Sequence, residues 1–325
     1  MRIGILGCGR MGNERARATA ALGHELAVVY DPDKERARTL GTKYSASQVL
    51  EDEEKLPWSR LDAVFICTPP NLRLKYQLAA IETGLPFFVE KPIAIASSDC
   101  VPVLAALNLR PTIHAVGYMN RCRDSVLFAR DLLAKCKVLG VCCHWVGRKY
   151  KVGWWLKADQ SGGPLNEQAT HAFDLSRILV GEISSVSATA GDSSSYSELS
   201  LSVACTLTFS GGPLGTIFYS CEADDKHINL RVITAGGLLE FAGWDLRLTA
   251  NTISGDFPPV RDRDEDIFVG ESDRFLTAVQ RGDPSMVPCN LDDAYRTQLA
   301  VDAARLSIRS GQRVSVATFP AWEGA

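Results

Sequence analysis

In the first third of the chain, short apolar runs alternate with segments that repeat apolar residues at helical spacing. Strand-like apolar runs occupy residues 2–6, 26–30, 62–67 and 86–90, and helical patterns occupy residues 13–22, 33–40 and 72–83. Strands that alternate with helices at this spacing are typical of βαβ units and a parallel sheet. We therefore predict an α/β domain with a doubly wound parallel sheet over residues 1–118.

The pattern changes in the remainder of the chain. Residues 139–251 are mostly strand-like and are separated by turn-forming residues such as Gly211-Gly212-Pro213, which favours a mostly antiparallel sheet. Helical patterns occur at 124–135, near 168–180, at 271–281 and at 291–309, and residues 256–266 resemble an exposed loop. We predict a second, α+β domain over residues 119–325, built on a large open sheet.

Composition and charge exclude several classes of protein. Apolar residues make up 46% and charged residues 22%, and the net charge is −3, so nothing indicates disorder or nucleic-acid binding. No apolar run is long enough to cross a membrane, and the chain opens directly on a strand, which leaves no room for a signal peptide. We therefore expect a cytoplasmic protein that has neither nucleic acid nor a membrane as a partner.

Ten cysteines are scattered along the chain without any C-x-x-C pair, as free thiols of a reducing compartment would be. Only Cys142-Cys143-His144 resembles a cluster of metal ligands. Adjacent residues of a strand point to opposite faces, and the spacing does not suit zinc. We predict no metal site.

A glycine-rich loop follows the first predicted strand and opens the first helix. It has the G-x-G-x-x-G spacing of dinucleotide-binding loops, and its candidate cofactor-binding residues are Gly7, Gly9, Arg10, Met11 and Gly12. Gly7 permits the tight turn, Gly9 lets the backbone approach a pyrophosphate, and Gly12 lets the helix pack on the strand. Backbone N–H groups at the start of the helix then face the phosphate charge.

An acidic residue stands where such a loop requires one. Asp31 ends the second strand, and a carboxylate there accepts hydrogen bonds from a ribose diol and repels a 2′-phosphate. The charge favours NAD over NADP. Lys34 and Arg36 follow closely and would weaken that preference, so NADP stays possible; the alternative role for Asp31-Pro32 is a simple turn.

Two further segments carry candidate catalytic side chains. Lys91 stands just past the carboxyl end of the strand FFVEKP, where open α/β sheets bind ligands. Downstream, a glycine-rich turn leads into a helix on which Glu167 and His171 are four residues apart and should share one face. A carboxylate and an imidazole placed in this way can hold a hydroxyl and move its proton. Taken alone, Lys91 could be a solvated strand end and His171 a hydrogen-bonded core histidine.

In their order and spacing these motifs resemble the Gfo/Idh/MocA family, which includes glucose–fructose oxidoreductase and inositol dehydrogenase. The similarity covers nearly the whole chain and includes CTPPN at 67–71, VEKP at 89–92, VGYMNR at 116–121, SGGPLNEQATHAFD at 161–174 and SGQRVSV at 310–316. It implies a Rossmann domain that binds NAD(P) and a C-terminal α/β domain, with nicotinamide at the cleft between them. It also implies a homodimer or homotetramer that associates through the open C-terminal sheet.

The resemblance extends the set of candidate site residues. It implies that the lysine matching Lys91 contacts the substrate hydroxyl and that the histidine matching His171 is the general acid/base. The further candidates for binding the cofactor are Thr68, Pro69, Asn71 and Glu90, with Lys91, and those for binding the substrate are Asn120, Arg121, Trp154, Glu167 and His171.

The chain departs from the family pattern at three of these motifs. Glu167 stands where the family usually has Asp, and its extra methylene moves the carboxylate by more than about 1 Å. Arg73 replaces a common histidine, and Ala169 a common glycine. These departures bear on the identity of the substrate more than on the type of reaction.

The segment before the histidine helix combines basic and aromatic residues. Arg148, Lys149 and Lys151 suit a carboxylate or phosphate, and the aromatic side chains of Tyr150 and Trp154-Trp155 suit the apolar face of a sugar. The alternative is a solvated strand end above packed tryptophans.

The sequence therefore favours an NAD(P)-dependent dehydrogenase or reductase that interconverts a secondary alcohol and a ketone. The substrate would be a sugar, a cyclic polyol or a related small ring metabolite. Two alternatives use the same site: a transient oxidation followed by elimination, and reduction of C=C or C=N bonds. A third is a non-catalytic dinucleotide-sensing regulator, which the presence of both Lys91 and His171 argues against.

Overall fold

The strands of the chain form two separate sheets, each within its own compact unit. A computed structural model describes residues 1–191, 199–251 and 266–316. Within that part, the first unit contains residues 1–119 and 266–295, and the second contains residues 120–251 and 296–316. The segment 256–265 of the predicted exposed loop lies outside the described residues.

The first unit is built on a six-stranded, wholly parallel sheet. Its strands are β1 (Arg2–Leu6), β2 (Glu25–Tyr30), β3 (Gln48–Leu50), β4 (Ala63–Ile66), β5 (Phe87–Val89) and β6 (His114–Val116), in the spatial order β3-β2-β1-β4-β5-β6. Its helices are α1 (Arg10–Ala21), α2 (Lys34–Lys43), α3 (Pro70–Thr83), α4 (Val101–Leu109) and α8 (Ile267–Arg281). Helix α9 (Leu291–Ser310) begins in this unit and ends in the second.

Local sequence accounts for most of these boundaries. The central strands consist of apolar residues that are almost fully buried, as strands covered on both faces should be. Asp33 caps α2 by accepting hydrogen bonds from the backbone N–H groups of Glu35 and Arg36. Gly84, in the left-handed conformation, ends α3. In the core, Phe65, Phe88 and Phe275 of α8 meet in edge-on and tilted ring contacts.

The second unit contains an eight-stranded sheet that is antiparallel except for one pair of strands. Its strands are β7 (Val138–Arg148), β8 (Ile183–Ala190), β9 (Ser202–Phe209), β10 (Leu214–Ser220), β11 (Glu222–Thr234), β12 (Gly237–Ala242), β13 (Arg247–Asn251) and β14 (Val314–Ser315), in the order β13-β12-β11-β7-β10-β9-β8-β14. Among the strands that the structure describes in this sheet, β7 and β10 are the one parallel pair. The other helices are α5 (Asp124–Leu133), α6 (Ala158–Ser161) and α7 (Thr170–Val180).

Burial alternates along β7, as expected for a sheet with one covered face. Val141, Cys143 and Trp145 are buried on the covered side, whereas Cys142 and His144 are exposed on the other. Cys142, Cys143 and His144 therefore do not face one common point. Among the described residues, no group of three or more potential metal ligands is found.

The predicted fold class, a doubly wound parallel sheet followed by a mostly antiparallel open sheet, is confirmed. The structure adds β3, α4 and β6, for which the sequence pattern made no prediction. All ten cysteines are free thiols. Within the described ranges, no helix has the length and apolar character needed to span a bilayer.

Candidate functional site

The glycine loop joins β1 to α1 and lies close to the turn that follows β4. A Cβ on Gly12 would lie 1.9 Å from the Gly7 carbonyl oxygen, and one on Gly7, whose φ is +93°, would lie 2.7 Å from the Cys67 carbonyl carbon. A Cβ on Gly9 would meet nothing within 4 Å. The space beside Gly9 and the N–H groups of Arg10 and Met11, which open α1, are features that a pyrophosphate needs.

Asp31 lies against this loop at the end of β2. The Cys8 backbone N–H donates to Oδ2 of Asp31 (N···O 2.7 Å), and the Asp33 backbone N–H donates to Oδ1 (2.8 Å). Asp31 is buried, and each of its carboxylate oxygens accepts one backbone N–H, which leaves a second lone pair on each oxygen for a further donor. Together with the loop, this arrangement fits the ribose and pyrophosphate of a dinucleotide.

The turn after β4 carries the other predicted cofactor-binding residues of the first unit. Thr68 is buried, Pro69 precedes the first residue of α3, and Asn71 is exposed in its first turn. The Thr68 Oγ1 atom has no hydrogen-bond partner among the described residues. The buried Arg73 donates from Nε to the Thr68 carbonyl oxygen (2.9 Å) and from Nη1 to the Pro92 carbonyl oxygen. Arg73 thus joins this turn to the segment that follows Lys91.

Glu90, immediately before Lys91, belongs to a buried cluster of charges. Its Oε1 atom accepts hydrogen bonds from Nε and Nη2 of Arg15 on α1, at 2.8 and 2.7 Å. Arg15 Nη2 also donates to Oε2 of Glu271 on α8 (2.6 Å), and Nη1 donates to Ser272. The guanidinium lies 4.2 Å from the centroid of the Phe88 ring. The cluster therefore fixes the strand end that carries Lys91 to the helix that follows the glycine loop.

Burial dominates the electrostatics of this cluster. Desolvation raises the pKa of Glu271 to about 7; Arg15 opposes the rise and Glu90 adds to it. Desolvation also raises the pKa of the Cys67 thiol well above its ordinary value. In this group one guanidinium faces two buried carboxylates.

In the second unit, Glu167 and His171 are both buried, at 5% and 6% exposure. The helical segment that carries them is not a single α-helix: Leu165–Ala169 form a π-helical turn, and α7 begins at Thr170. That Glu167 and His171 share one face stays a prediction. Side-chain bonds of Asn166 accompany the wider turn, with Nδ2 donating to the Ser161 carbonyl oxygen and Oδ1 accepting from Gln298, both at 2.9 Å. Such turns occur frequently at functional sites.

The His171 imidazole stacks on the indole of Trp145 from β7. The ring centroids are 5.3 Å apart and the planes are inclined by 17°. Trp145 is 6% exposed and projects from the covered face of the sheet. The imidazole ring therefore lies against a rigid aromatic surface.

The predicted substrate residues Asn120 and Arg121 are both buried. Arg121 forms an ion pair with Asp174 of α7, with Nε 2.9 Å from Oδ2 and Nη2 2.5 Å from Oδ1. Thr297 of α9 donates to the same carboxylate (3.0 Å). The Asn120 Oδ1 atom accepts from Arg123 Nε (3.0 Å). Arg121 thus has a structural partner, and a substrate contact for either residue stays a prediction.

The segment before α6 separates into exposed charges and buried rings. Arg148 pairs with Asp225 (3.0 Å) and Lys149 with Glu222 (3.6 Å), both pairs near the surface. Trp155 is fully buried and contacts the Tyr150 ring edge-on at 5.2 Å, whereas Trp154 is partly exposed. Of the two tryptophans, Trp154 is the one whose exposure is compatible with the predicted substrate contact.

Sequence reasoning did not single out Arg15, Glu271 or Trp145. Arg15 stands in a helix rich in charged residues, and its partners Glu90 and Glu271 are 75 and 256 positions away. Trp145 could have been found from the strand alternation, which places it on the covered face with Cys143.

Comparisons with known proteins agree with a dinucleotide-binding fold in the first unit. A family model described as "Oxidoreductase family, NAD-binding Rossmann fold" matches residues 1–118, and one for the GFO/IDH/MocA C-terminal domain matches residues 137–240. Inositol 2-dehydrogenase of Acidothermus cellulolyticus is 29% identical over 198 residues, which are 59% of this chain and 57% of that protein. Inositol 2-dehydrogenase 4 of Saccharopolyspora erythraea is 28% identical over 302 residues, 87% and 86% of the two chains.

Several of the curated relatives match this chain over only about half of their own length. Among solved structures, levoglucosan dehydrogenase in complex with NADH superimposes with a TM-score of 0.87 at 19% identity, covering 97% of this chain and 99% of that one. At this sequence identity, the superposition shows a shared fold only. With both family models in their expected order, the chain belongs to the Gfo/Idh/MocA family of oxidoreductases, and its first unit is the family's NAD-binding Rossmann fold.

Proposed function

We propose that the protein is an NAD-dependent oxidoreductase that interconverts a secondary alcohol and a ketone of a sugar, cyclic polyol or related small ring metabolite. The observation that carries the proposal is the Asp31 carboxylate bound to the Cys8 N–H, beside the open space at Gly9. The relatives named inositol 2-dehydrogenase support a polyol-like substrate.

The glycine loop and Asp31 would hold the cofactor through its pyrophosphate and its ribose diol. Because a carboxylate repels a 2′-phosphate, Asp31 favours NAD over NADP. Thr68, Pro69, Asn71 and Glu90 would complete the cofactor site. When bound, the nicotinamide supplies the acceptor for the hydride that leaves the alcohol carbon.

Lys91 and His171 would handle the hydroxyl proton. During oxidation the O–H proton passes to one of these side chains as the hydride leaves the carbon, and during reduction it returns to the oxygen. Glu167, one turn before His171, would accept a hydrogen bond from a substrate hydroxyl. Asn120, Arg121 and Trp154 are the further candidates for substrate contact.

A binding experiment tests the cofactor assignment first. Intrinsic tryptophan fluorescence is titrated with NADH and with NADPH side by side, and tighter binding of NADH is expected. Tighter NADPH binding would show that Lys34 or Arg36 outweighs Asp31. Binding of neither dinucleotide would refute the proposal.

A substrate screen with NAD then tests the reaction. We expect Lys91→Ala and His171→Ala to keep NADH binding and to lose about 100- to 10,000-fold in turnover. Variants with normal turnover would exclude these roles. Turnover without net NADH would instead indicate transient oxidation and elimination, and binding without turnover on any substrate would indicate a sensor.

We also propose a homodimer or homotetramer that associates through the open face of the second sheet. Large apolar side chains stand exposed there, with Leu214 at 59%, Phe218 at 48% and Ile233 at 39%. On the same face the strands present Thr206, Thr216 and other small polar residues. An exposed apolar patch of this kind is typical of a protein–protein interface. Phe218→Asp should yield monomers by light scattering coupled to size-exclusion chromatography, and an unchanged mass would exclude this interface.

The free thiols support a cytoplasmic location, because a reducing compartment keeps cysteines unpaired. Fractionation of cells that produce the protein would test this.

A further inference from the structure

Trp145 lies outside the motifs that identify the family, but its indole stacks on His171, which belongs to one of them. Both rings are buried at 6% exposure, and the centroid distance of 5.3 Å at 17° places the imidazole over the indole face. Trp145 is fixed in β7 between its two strand partners: it is in register with Tyr219 of β10 on one side and with Ile228 of β11 on the other. The indole is therefore held in place by the sheet, and the imidazole ring packs against its face.

Two physical effects follow from this geometry. The face of an indole ring carries negative electrostatic potential, so it attracts an imidazolium more strongly than a neutral imidazole. A ring packed flat against a wall also loses freedom to rotate about its side-chain bonds, which keeps its nitrogen atoms aimed in one direction. Both effects act on the proton that His171 would carry in the proposed reaction.

We propose that Trp145 is a positioning residue for His171: its indole face holds the imidazole ring in one orientation and stabilises its protonated form. The effect of Trp145 on proton transfer by His171 rests on the proposed function. The coupling between the two rings itself requires neither cofactor nor substrate.

Few other titratable groups stand on the elements packed against α7. The preceding π-helical turn contributes Glu167. Helix α7 itself contributes Asp174, which Arg121 and Thr297 hold, and Arg177, which pairs with Glu182 and donates to Thr297. The covered face of β7 contributes the Cys143 thiol, and β10 contributes Tyr219. Burial raises the pKa of Cys143 to about 12 and that of Tyr219 well above its ordinary value, so both stay neutral near pH 7.

The face of α5 that is buried toward the core is uncharged. It presents Ser125, Val126, Ala129 and Leu133. Glu167 lies one turn before His171, and a negative charge on its carboxylate would add to the stabilisation of an imidazolium. A Glu167→Gln variant separates the carboxylate's contribution from that of the indole.

Fluorescence tests the ring pair without any assay of activity. A protonated imidazole in contact with an indole quenches its emission by accepting an electron. We expect the emission of the unliganded protein to fall as pH drops through a single-proton midpoint. This component should disappear in His171→Gln and in Trp145→Phe. It should persist in Trp244→Phe, because that indole packs on Lys226, 4.2 Å from its centroid, and not on His171.

Kinetics then separate positioning from simple packing. Trp145→Leu should lower the acidic midpoint of the kcat/KM profile by about half a pH unit, since the cation–π attraction is lost. Trp145→Phe keeps an aromatic face and should restore most of that midpoint. A pH-dependent fluorescence component that survives in His171→Gln would overturn the proposal. An acidic midpoint of kcat/KM that is the same in the wild type, Trp145→Leu and Trp145→Phe would also overturn it. A normal fluorescence titration in a protein without turnover would refute the proposed function and leave the coupling standing.

Discussion

Glu271 offers the sharpest test of the energetics of the first unit. Its side chain is almost fully buried on α8, and only its Oε2 atom has a hydrogen-bond partner, Arg15, which it shares with Glu90. No described group partners Oε1 of Glu271. Glu271→Gln keeps the shape of the side chain and removes its charge at every pH.

The magnitude follows from the pKa of this carboxyl. Burial raises it from 4.5 to about 7 in the folded protein, so between these pH values the folded state holds a proton that the unfolded state has released. Glu271 therefore contributes stability below about pH 4.5 that is lost as the pH rises through about 7. At 1.36 kcal/mol for each pKa unit, the loss is about 3 kcal/mol.

Denaturant unfolding of the wild type and of Glu271→Gln at about pH 5 and pH 8 provides the assay. Relative to the wild type, the variant should gain about 2.5 kcal/mol of unfolding free energy between the two pH values, whatever constant cost the amide has, because a small part of the loss has already occurred at pH 5. Glu240→Gln is the matched control, because Arg231 holds that carboxylate (3.0 Å) and hydrogen bonds lower its pKa. Its difference from the wild type should not change over the same range. A constant difference for Glu271→Gln would refute the reasoning.

Two further predictions concern packing and the phosphate loop. Arg121→Leu should lower the unfolding free energy by about 3–5 kcal/mol in denaturant titrations, because it leaves the buried Asp174 carboxylate without its cation; a loss below about 1 kcal/mol would contradict this. Gly12→Ala should cost about 1–3 kcal/mol of stability, since its Cβ collides with the Gly7 carbonyl oxygen, whereas Gly9→Ala should keep the melting temperature and lose NADH binding. Equal effects of the two glycine variants in melting and titration experiments would exclude this division of roles.

The parts of the fold that could be predicted from the sequence are those with local patterns. The glycine loop, the buried strands and the alternation along β7 each depend on residues close together in the chain. Helix α4 was not predicted because its sequence, VPVLAALNL, is apolar on every side and shows no helical face. Strand β6 is three residues long, as β5 is, but its sequence, HAV, begins with a histidine and lacks the aromatic and apolar run that revealed β5.

The features of the site that the sequence did not reveal are long-range or depend on backbone detail. Nothing local distinguishes Arg15 from its charged neighbours, because the carboxylates that justify its burial come from β5 and α8. Within the π-helical turn before α7, the Asn166 side chain accepts a hydrogen bond from Gln298 of α9, which is 132 positions away. A spacing of four residues predicts a shared face only when the turns are regular.

The bond between the Cys8 N–H and Asp31 has a consequence for attempts to change cofactor preference by mutation. Asp31 is at once the group that would select NAD and the group that holds the loop backbone at Cys8 and the turn at Asp33. Replacing it with a neutral or basic side chain would release the loop together with the ribose, so affinity for both dinucleotides should fall. A variant designed to prefer NADP would have to supply a new acceptor for the Cys8 N–H. Only then could the positive charge of Lys34 or Arg36 favour the 2′-phosphate.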